Sequence, residues 1–247
     1  MRFLPASRRV PRWMVISLVT VVMVAASLFG LRVVANARTF QAFGGLTDRV
    51  DTSARVVALT FDDGPDPAGT RQLLDALASA DVPATFFLIG QDMAKHPDLA
   101  RDIASAGHEL GNHTYTHERM WFVSDGFVAE EVERTDALIR RAGYEGEITF
   151  RPPNGKKLLA LPYYLDQHNR KTIMWDVEPD SAEADAGAQR IVDATVEHTR
   201  PGSIILLHGM YADRDQTRLA VTPIISRLKA DGYRFVTVSE LLAYQGR

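Results

Sequence analysis

The chain has 247 residues, of which 46% are hydrophobic and 24% charged, and it contains no cysteine. These proportions exclude long intrinsic disorder and collagen-like repeats, and the absence of cysteine excludes disulfides, thiolate zinc sites and a cysteine nucleophile. Any metal must therefore be held by His, Asp or Glu. The formal net charge of -3 argues against a general nucleic-acid-binding protein, which is usually strongly basic.

The charge is unevenly distributed along the chain. Residues 1–49 carry seven arginines and one acid, Asp48, for a net charge of +6, whereas the rest of the chain carries 21 basic and 30 acidic side chains, for a net charge of -9. We therefore expect two parts with different roles.

The N-terminal part has the pattern of a membrane signal. Four arginines within residues 1–12 precede an uncharged apolar run, 13–31, which is long enough to cross a hydrocarbon core of about 30 Å. The excess of arginine before the run predicts that residues 1–12 are cytoplasmic and that the chain after it lies outside. A cleaved signal peptide is the alternative, with a small-x-small site ending at Ala37, but its apolar region is usually shorter, about 7–15 residues. We expect a single-pass anchor in the cell membrane, with secretion after cleavage near Ala37 as the alternative.

Residues 32–54 are expected to form a linker, and from 55 to 247 short β-branched or aromatic runs alternate with longer amphipathic ones. The predicted strands are 55–61, 84–89, 109–112, 148–150, 172–177, 203–208 and 234–238. The predicted helices are 70–80, 93–106, 125–142, 158–168, 188–199, 221–230 and a short one that Ser239 caps. Repeated βα units predict an α/β fold with a parallel sheet covered on both faces, and seven strands fit a barrel. Functional residues of such barrels lie at the carboxyl ends of the strands.

The first predicted strand ends in two adjacent carboxylates, Asp62 and Asp63, followed by Gly64 and Pro65. Because successive side chains of an extended chain point in opposite directions, one carboxylate can bind a metal while the other faces a reacting water. The alternative interpretation is a simple turn, since Asp, Gly and Pro dominate turns.

The third predicted strand is followed by two histidines, His113 and His117. Imidazoles four residues apart lie on one side of a helical turn and suit a shared metal, although the spacing also arises by chance. No Glu follows the first histidine, so a catalytic base must come from elsewhere, and Asp62 or Asp63 could supply it. Two histidines with one carboxylate form a known ligand set of catalytic zinc.

Three further strand ends carry polar residues. Arg151 begins a loop whose prolines fix the backbone, and a rigid loop can aim an arginine at a carboxylate or an N–H at an oxyanion; a plain proline-rich turn is the alternative. His208 closes the sixth strand, and the acids of 175–180 close the fifth. A buried structural role is the alternative for His208, but its position at the same end of the sheet favours a functional site.

Five segments taken in order resemble the polysaccharide deacetylase family, the carbohydrate esterases with a NodB-homology domain. They are TFDDGPD (60–66), PATFFLIG (83–90), GHELGNHTYTH (107–117), RPPNG (151–155) and IILLH (204–208). The resemblance covers roughly residues 55–245 and implies a distorted (β/α)7 barrel. It also implies a hydrolase that removes N-acetyl groups from amino-sugar residues of a polysaccharide: peptidoglycan, a chitin-like oligomer or an exopolysaccharide.

The resemblance further implies a role for individual residues of this chain. The catalytic residues would be the base Asp62, Arg151 that orients it, the general acid His208, and Asp180 that supports His208, with Asp176 as the alternative support. One divalent metal ion, zinc or else cobalt, nickel or manganese, would be held by Asp63, His113 and His117. The substrate-binding residues would be Leu206, which lines the acetyl pocket, together with Pro153, Asn154 and Trp175.

Three residues depart from the family pattern. Asn154 stands where an aromatic is usual, Ser181 follows Asp180 where tryptophan is usual, and Gly209 replaces a frequent acid. Two other functions remain open from sequence. They are a glycoside hydrolase, since paired carboxylates also cleave sugar linkages, and a non-catalytic carbohydrate-binding member of the same fold.

Overall fold

The computed structural model describes residues 11–180 and 187–246, and short strands alternate with helices along most of this chain. The strands are β1 (Leu46–Thr47), β2 (Val56–Asp62), β3 (Thr85–Leu88), β4 (Glu109–Asn112), β5 (Thr172–Ile173), β6 (Ile204–Leu207) and β7 (Arg234–Val236). The helices are α1 (Arg12–Asn36), α2 (Thr70–Ala80), α3 (Gly90–Lys95), α4 (Pro97–Ser105), α5 (Asp125–Arg141), α6 (Ala160–Gln167), α7 (Ala188–His198), α8 (Asp215–Ala230) and α9 (Val238–Leu242).

Strand β2 lies at the centre of the sheet. It pairs in parallel with β3, β6 and β7, and β3 pairs with β4. Single-residue bridges at Phe150 connect β4 to β5, and a bridge between Val177 and Ile205 connects the segment after β5 to β6. The predicted α/β fold with a parallel sheet is confirmed. The regular ladders connect β4, β3, β2, β6 and β7. The isolated bridges extend the pairing from β4 through Phe150 and β5 to β6.

Alternate side chains of β2 pack against different clusters, and this alternation positions the acids at its end. Phe61 packs in the large cluster that contains helices α2 and α8, whereas Ala58 belongs to a second cluster with Leu206 and Trp175. Because side chains alternate along a strand, Asp62 lies on the same face of the sheet as Ala58. Asp62, the proposed base, therefore points towards the second cluster rather than towards α2 and α8.

Some boundaries differ from the sequence-based expectation. The predicted strand 148–150 is reduced to the bridges at Phe150. The predicted helix 93–106 is divided into α3 and α4, because Pro97 lacks the N–H that would continue a helix and instead occupies the first position of α4. The last helix is capped by Thr237, not Ser239, through a capping box.

The segment expected to be a linker contributes to the folded domain. Residues 46–47 form β1, which pairs with β5. Arg49 bridges to Ser203, and Val50 is fully buried in the second cluster. A two-residue strand has too little alternation to be recognised from sequence, so the expected boundary at residue 55 lies several residues too late.

The apolar N-terminal run is the core of helix α1. This helix has 25 residues, its most apolar window has a mean hydropathy of 2.5, and none of that window is buried within the protein. By length and composition it can cross a membrane, although a signal sequence would have the same properties. Its last turn contacts the domain, because the Lys157 N–H donates to the carbonyl of Ala35 (3.3 Å). Residues 1–10, with three of the four leading arginines, lie outside the described residues.

Candidate active site

The strand ends bring the predicted site residues together. Asp62 is the last residue of β2, His113 follows β4 directly, and His208 follows β6 directly. Arg151 follows the bridging residue Phe150. The parallel strands direct all four side chains to one edge of the sheet, as expected for this class of fold.

Asp62 and Arg151 form a buried ion pair. Asp62 is 2% exposed and Arg151 fully buried, and Arg151 Nη1 lies 2.6 Å from Asp62 Oδ1. The guanidinium also donates to Thr60 Oγ1 (2.8 Å) and to the carbonyl of Met174 (3.1 Å), and it packs over the Phe87 ring at 4.0 Å. Because the guanidinium is fixed on several sides, it holds one carboxylate oxygen of Asp62 and leaves the other, Oδ2, facing His113 Nε2 at 3.6 Å.

Asp63, His113 and His117 present one ligand atom each within 4.8 Å of one another. Asp63 Oδ1 lies 3.4 Å from His117 Nε2 and 3.9 Å from His113 Nε2, yet this buried oxygen accepts no hydrogen bond. His113 Nδ1 lies 2.7 Å from the carbonyl of Arg151, which can only accept, so Nδ1 carries the proton and Nε2 offers its lone pair to the cluster. Burial lowers the pKa of His113 to about 4, which keeps the ring neutral. An unsatisfied buried carboxylate oxygen beside two imidazoles fits a divalent cation.

The two histidines converge through a turn and not through the helical turn inferred from their spacing. Thr114 and His117 have left-handed backbone angles (φ 67° and 63°), as does Asp63 (φ 78°). Such conformations cost a non-glycine residue of the order of 1–3 kcal/mol each. They are held in place by side-chain hydrogen bonds, because the Thr114 N–H donates to Asn112 Oδ1 (2.8 Å) and the His117 N–H to Thr114 Oγ1 (3.1 Å).

His208 is paired with Asp180. The carboxylate of Asp180 accepts from the His208 backbone N–H (2.6 Å) and from Thr217 Oγ1 (3.1 Å), and its Oδ1 lies 3.2 Å from His208 Nδ1. Burial by itself lowers the pKa of His208, but Asp180, with smaller contributions from Asp62 and Asp63, outweighs burial and raises this pKa to about 9. His208 is therefore an imidazolium at neutral pH.

Asp176, the alternative support for His208, lies at the other end of β6. It accepts from Ser203 Oγ and from the Ile204 N–H, both at 2.9 Å, so it closes the start of that strand. The structure brings Asp180 to His208 and does not bring Asp176 there. Ser181 lies outside the described residues.

A cavity of about 540 Å³ opens beside these side chains. Of the predicted substrate-binding residues, Leu206, Trp175 and Asn154 line it, whereas Pro153 is buried and outside the lining. Trp175 is only 5% exposed, so it presents little surface to a ligand. Asn154 has a left-handed backbone (φ 53°), which asparagine adopts more readily than an aromatic residue does.

The chain is similar to a family of known proteins. The sequence model of the family described as polysaccharide deacetylase matches residues 49–173. The chain belongs to the polysaccharide deacetylase family. The predicted enzyme class, polysaccharide deacetylase, is therefore confirmed.

Individual relatives of the deacetylase differ in the substrate that their names state. A peptidoglycan-N-acetylglucosamine deacetylase of Bacillus cereus is 37% identical over 207 residues, covering 82% of this chain and 95% of the relative. A chitooligosaccharide deacetylase of Rhizobium leguminosarum bv. trifolii is 33% identical over 214 residues, covering 75% and 91%. Among solved structures, a peptidoglycan N-acetylglucosamine deacetylase in complex with 4-naphthalen-1-yl-N-oxidanyl-benzamide matches with a TM-score of 0.74 and 32% identity, covering 80% of this chain and 92% of that one.

Sequence analysis missed Glu131, which holds the histidine turn of the deacetylase. Glu131 lies on α5, is 3% exposed, and accepts from the N–H groups of Tyr115 (2.9 Å) and Thr116 (2.8 Å) and from Thr116 Oγ1 (3.0 Å). Its signal in the sequence is a carboxylate on the buried stripe of an amphipathic helix, beside Val128 and Val132. A charged residue at such a position is almost never left unpaired.

Replacing Glu131 by Ala is expected to lower the free energy of unfolding by about 1–3 kcal/mol, because it leaves two partly buried N–H groups without their acceptor. It should also weaken metal binding by about 10- to 100-fold, the effect typical of a residue that orients ligands. Glu130→Ala is the matched control, because Glu130 is exposed and pairs only with Arg134 one turn along the same helix. Urea unfolding and metal titration distinguish the two variants, and equal behaviour of both would contradict the role of Glu131.

The end of helix α1 and the segment that follows it also reach the cavity, which the sequence did not indicate. Asn36 and Arg38 are among its lining residues. Arg38 Nη1 lies 3.3 Å from Glu178 Oε2, the same oxygen that accepts from Trp175 Nε1 (2.7 Å). The rim of the site therefore includes residues expected to belong to a linker.

Proposed function

We propose that the deacetylase is a metal-dependent hydrolase that removes N-acetyl groups from amino-sugar residues of an extracytoplasmic polysaccharide. One observation carries this proposal: a base held by arginine, a three-ligand metal cluster and a protonated histidine share a single cavity. These are Asp62 with Arg151, the cluster Asp63, His113 and His117, and His208 with Asp180.

Asp63, His113 and His117 would hold the divalent cation, which is zinc in the proposal, with cobalt, nickel or manganese as alternatives. When bound there, the cation would supply Lewis acidity to the acetamide carbonyl and to water. A neutral imidazole at His113 is the protonation state that metal binding needs. The remaining steps are carried by side chains and backbone of the chain itself.

Replacing either His113 or His117 by Ala is expected to remove most of the bound metal, because three protein ligands are the usual number at a catalytic site. His168→Ala is the control, because His168 is exposed directly after α6, where its ring contacts the Tyr164 carbonyl and the Tyr164 ring. Elemental analysis of the purified full-length proteins measures the metal content. Unchanged stoichiometry in both His113→Ala and His117→Ala would contradict the ligand assignment.

Asp62 would accept a proton from the attacking water. Its ion pair with Arg151 holds Oδ1 in place, and Oδ2 faces the metal cluster. A base must lie within hydrogen-bonding reach of the proton it abstracts, and Asp62 is adjacent in sequence to the proposed ligand Asp63. The buried guanidinium fixes the direction in which that oxygen points.

The loop after Arg151 would stabilise the oxyanion of the tetrahedral intermediate. Pro152 and Pro153 have no N–H, and the Gly155 N–H donates to the carbonyl of Pro152 (2.9 Å). Within residues 152–155, all of which the structure describes, the N–H of Asn154 is the remaining donor, and Asn154 lines the cavity. A fixed backbone N–H near the reacting carbonyl is a typical oxyanion donor.

His208 would donate a proton to the departing amine. Amines leave poorly when unprotonated, and an imidazolium with a pKa of about 9 holds its proton at neutral pH. Because the pKa of His208 is raised above the ordinary histidine value, His208 stays protonated until the pH rises through about 9. The contribution of this pairing to the free energy of unfolding is complete below the ordinary histidine pKa of 6.5 and is lost as the pH rises from there through about 9.

Replacing Asp180 by Asn is expected to move the alkaline limb of the pH–rate profile to lower pH. Asp180 is the largest of the contributions that raise the pKa of His208, and a neutral amide would no longer favour the imidazolium. A bound divalent cation also lowers the pKa of His208, but it does so in the wild-type and the Asp180→Asn proteins alike. The pH dependence of kcat measured in parallel checks the shift, and coincident alkaline limbs would contradict the pairing.

Two other functions fit the site less well. In a glycoside hydrolase two carboxylates flank the sugar linkage, but here Asp62 is paired with Arg151 and Asp63 belongs to the histidine cluster. A non-catalytic binding protein would need neither a held base nor a protonated acid. The pairing of Asp62 with Arg151 and of His208 with Asp180 therefore favours a catalytic function.

The domain organisation forms part of the proposal. Residues 1–12 would be cytoplasmic, 13–31 would form a retained single-pass anchor, and the catalytic domain would act outside the membrane, with release after cleavage near Ala37 as the alternative. A panel of acetylated peptidoglycan, chitooligosaccharide and exopolysaccharide, assayed for free acetate with the full-length enzyme, identifies the substrate. The intact chain is needed because Asn36 and Arg38 line the cavity.

A further inference from the structure

An exposed apolar groove lies on the catalytic domain beside the end of helix α1. Phe122 is 79% exposed, Leu159 51% and Tyr163 47%, and they line one groove together with Phe43 and Trp121. Large apolar side chains gathered at the surface mark an interaction site rather than chance exposure. Neither the chemistry of the active site nor packing within the domain accounts for them.

The groove is continuous with the membrane helix. Leu31, the last residue of the uncharged apolar run, also lines it. The helix end is fixed to the domain, because Lys157 donates through its backbone N–H to Ala35 (3.3 Å) and through Nζ to the carbonyl of Ala37 (2.5 Å). Lys157 is itself buried. The groove and the end of helix α1 are therefore held in a fixed position relative to each other.

We propose that this groove rests on the outer leaflet of the lipid bilayer that α1 crosses, with Phe122, Leu159 and Tyr163 at the level of the phospholipid headgroups. The inference rests on the proposed retention of α1 as an anchor. A span of residues 13–31 places Leu31 near the outer edge of the hydrocarbon core. Side chains that share a groove with Leu31 then lie at the membrane–water interface, where aromatic rings are enriched.

Cationic side chains lie around the end of helix α1. Arg32 belongs to that helix, and burial, followed by the charges of Arg119, Arg32 and Arg38, lowers the pKa of Lys156. Lys156 also contacts Asn36 at the end of the helix. Basic residues beside exposed aromatics suit anionic phospholipid headgroups.

The docked orientation would place the active-site cavity next to the membrane. Asn36, the last residue of α1 and five residues beyond the proposed span, lines that cavity together with Arg38, and five helical residues rise about 7.5 Å. The substrate of the docked enzyme is then an amino-sugar chain held close to the bilayer surface. A polymer layer far from the membrane would be out of reach.

Fluorescence quenching by labelled lipids tests this docking directly. The chain has no cysteine, so Phe122→Cys and Leu159→Cys each provide a single thiol for an environment-sensitive fluorophore. Leu219→Cys is the matched control, because Leu219 is also an exposed apolar residue (63%) but lies on α8 outside the groove. The full-length variants are reconstituted into phosphatidylethanolamine–phosphatidylglycerol vesicles containing lipids brominated near the headgroup. Flotation and acetate release are measured on the same samples.

Docking predicts that the labels at positions 122 and 159 shift to the blue and are quenched several-fold more strongly than the label at 219. Equal quenching at all three positions in protein that floats with the vesicles would overturn the docking and leave the anchor intact. Protein that fails to float would overturn the anchor and the docking together. Acetate release reports separately on the proposed hydrolysis. Failure of the docking therefore does not imply failure of the proposed hydrolysis, and failure of the hydrolysis does not imply failure of the docking.

Discussion

Replacing Asp62 by Asn is expected to reduce deacetylation by about 10²- to 10⁴-fold, the usual contribution of general base catalysis. The amide has nearly the same shape as the carboxylate but cannot accept the proton of the attacking water. Metal content should be retained, because the three proposed ligands are untouched. The rate of acetate release and elemental analysis together distinguish loss of the base from loss of the metal.

The Asp62→Asn variant also tests the buried ion pair. Arg151 is fully buried, and removing one partner of a buried pair typically lowers the free energy of unfolding by about 3–5 kcal/mol, so activity must be measured well below the unfolding midpoint. Asp98→Asn makes the same chemical change on an exposed side chain that pairs with Arg71 and should leave both activity and stability unchanged. Near-normal turnover by the Asp62→Asn protein would exclude Asp62 as the base.

Replacing His208 by Ala is expected to lower the rate of acetate release by about 10²- to 10⁴-fold as well, because the amine must then leave without a general acid. Asp180 would lose its imidazolium partner but would keep its hydrogen bonds to the backbone N–H of residue 208 and to Thr217. The loop should therefore remain in place.

The His208→Ala variant must be compared at several pH values. Wild-type activity should fall as the pH rises towards the pKa of His208, whereas the residual activity of the variant should no longer follow that ionisation. Metal content should equal that of the wild type, since His208 is not a proposed ligand. His198→Ala, at an exposed position at the end of α7, is the control. Retention of nearly full activity by the His208→Ala protein would exclude it as the general acid.

Much of the fold was predictable because its strands are continuous apolar runs. Strand β2 is buried along its whole length, and its end at Asp62 follows directly from the change to acidic residues. Strand β1 was not predictable, because two residues carry no periodicity. The shortening of 148–150 to a bridge at Phe150 was equally hidden, since backbone pairing depends on neighbours that are distant in sequence.

Residues of the site were predictable from sequence where a polar residue type at the end of a buried strand has few roles other than a functional one. Asp62, His113 and His208 were found in this way, and the structure brings them together. The turn that joins His113 to His117 was not predictable, since Asn112 holds its left-handed residue Thr114, and Glu131, on a helix that follows in the chain, holds Thr116. Tertiary hydrogen bonds override the local preference of such a segment, and sequence spacing alone suggested a helical turn.

The choice between Asp176 and Asp180 also needed the structure. Both are acids near the end of the fifth predicted strand, and sequence does not fix which of them faces His208. Asp176 closes the start of β6, while Asp180 lies where the strand ends. The contribution of Arg38 was hidden for a related reason, because its partner Glu178 is 140 residues away in the chain.

The most direct measurement of the proposed function is a stoichiometric assay of acetate and free amine on an N-acetylated glycan, made with and without a chelator. We expect the full-length enzyme to release one acetate for each new amine and to create no new reducing ends. We also expect a chelator to abolish the release and added zinc to restore it. New reducing ends without acetate would show a glycosidase, and release of acetate that no chelator affects would contradict the role of Asp63, His113 and His117 as metal ligands.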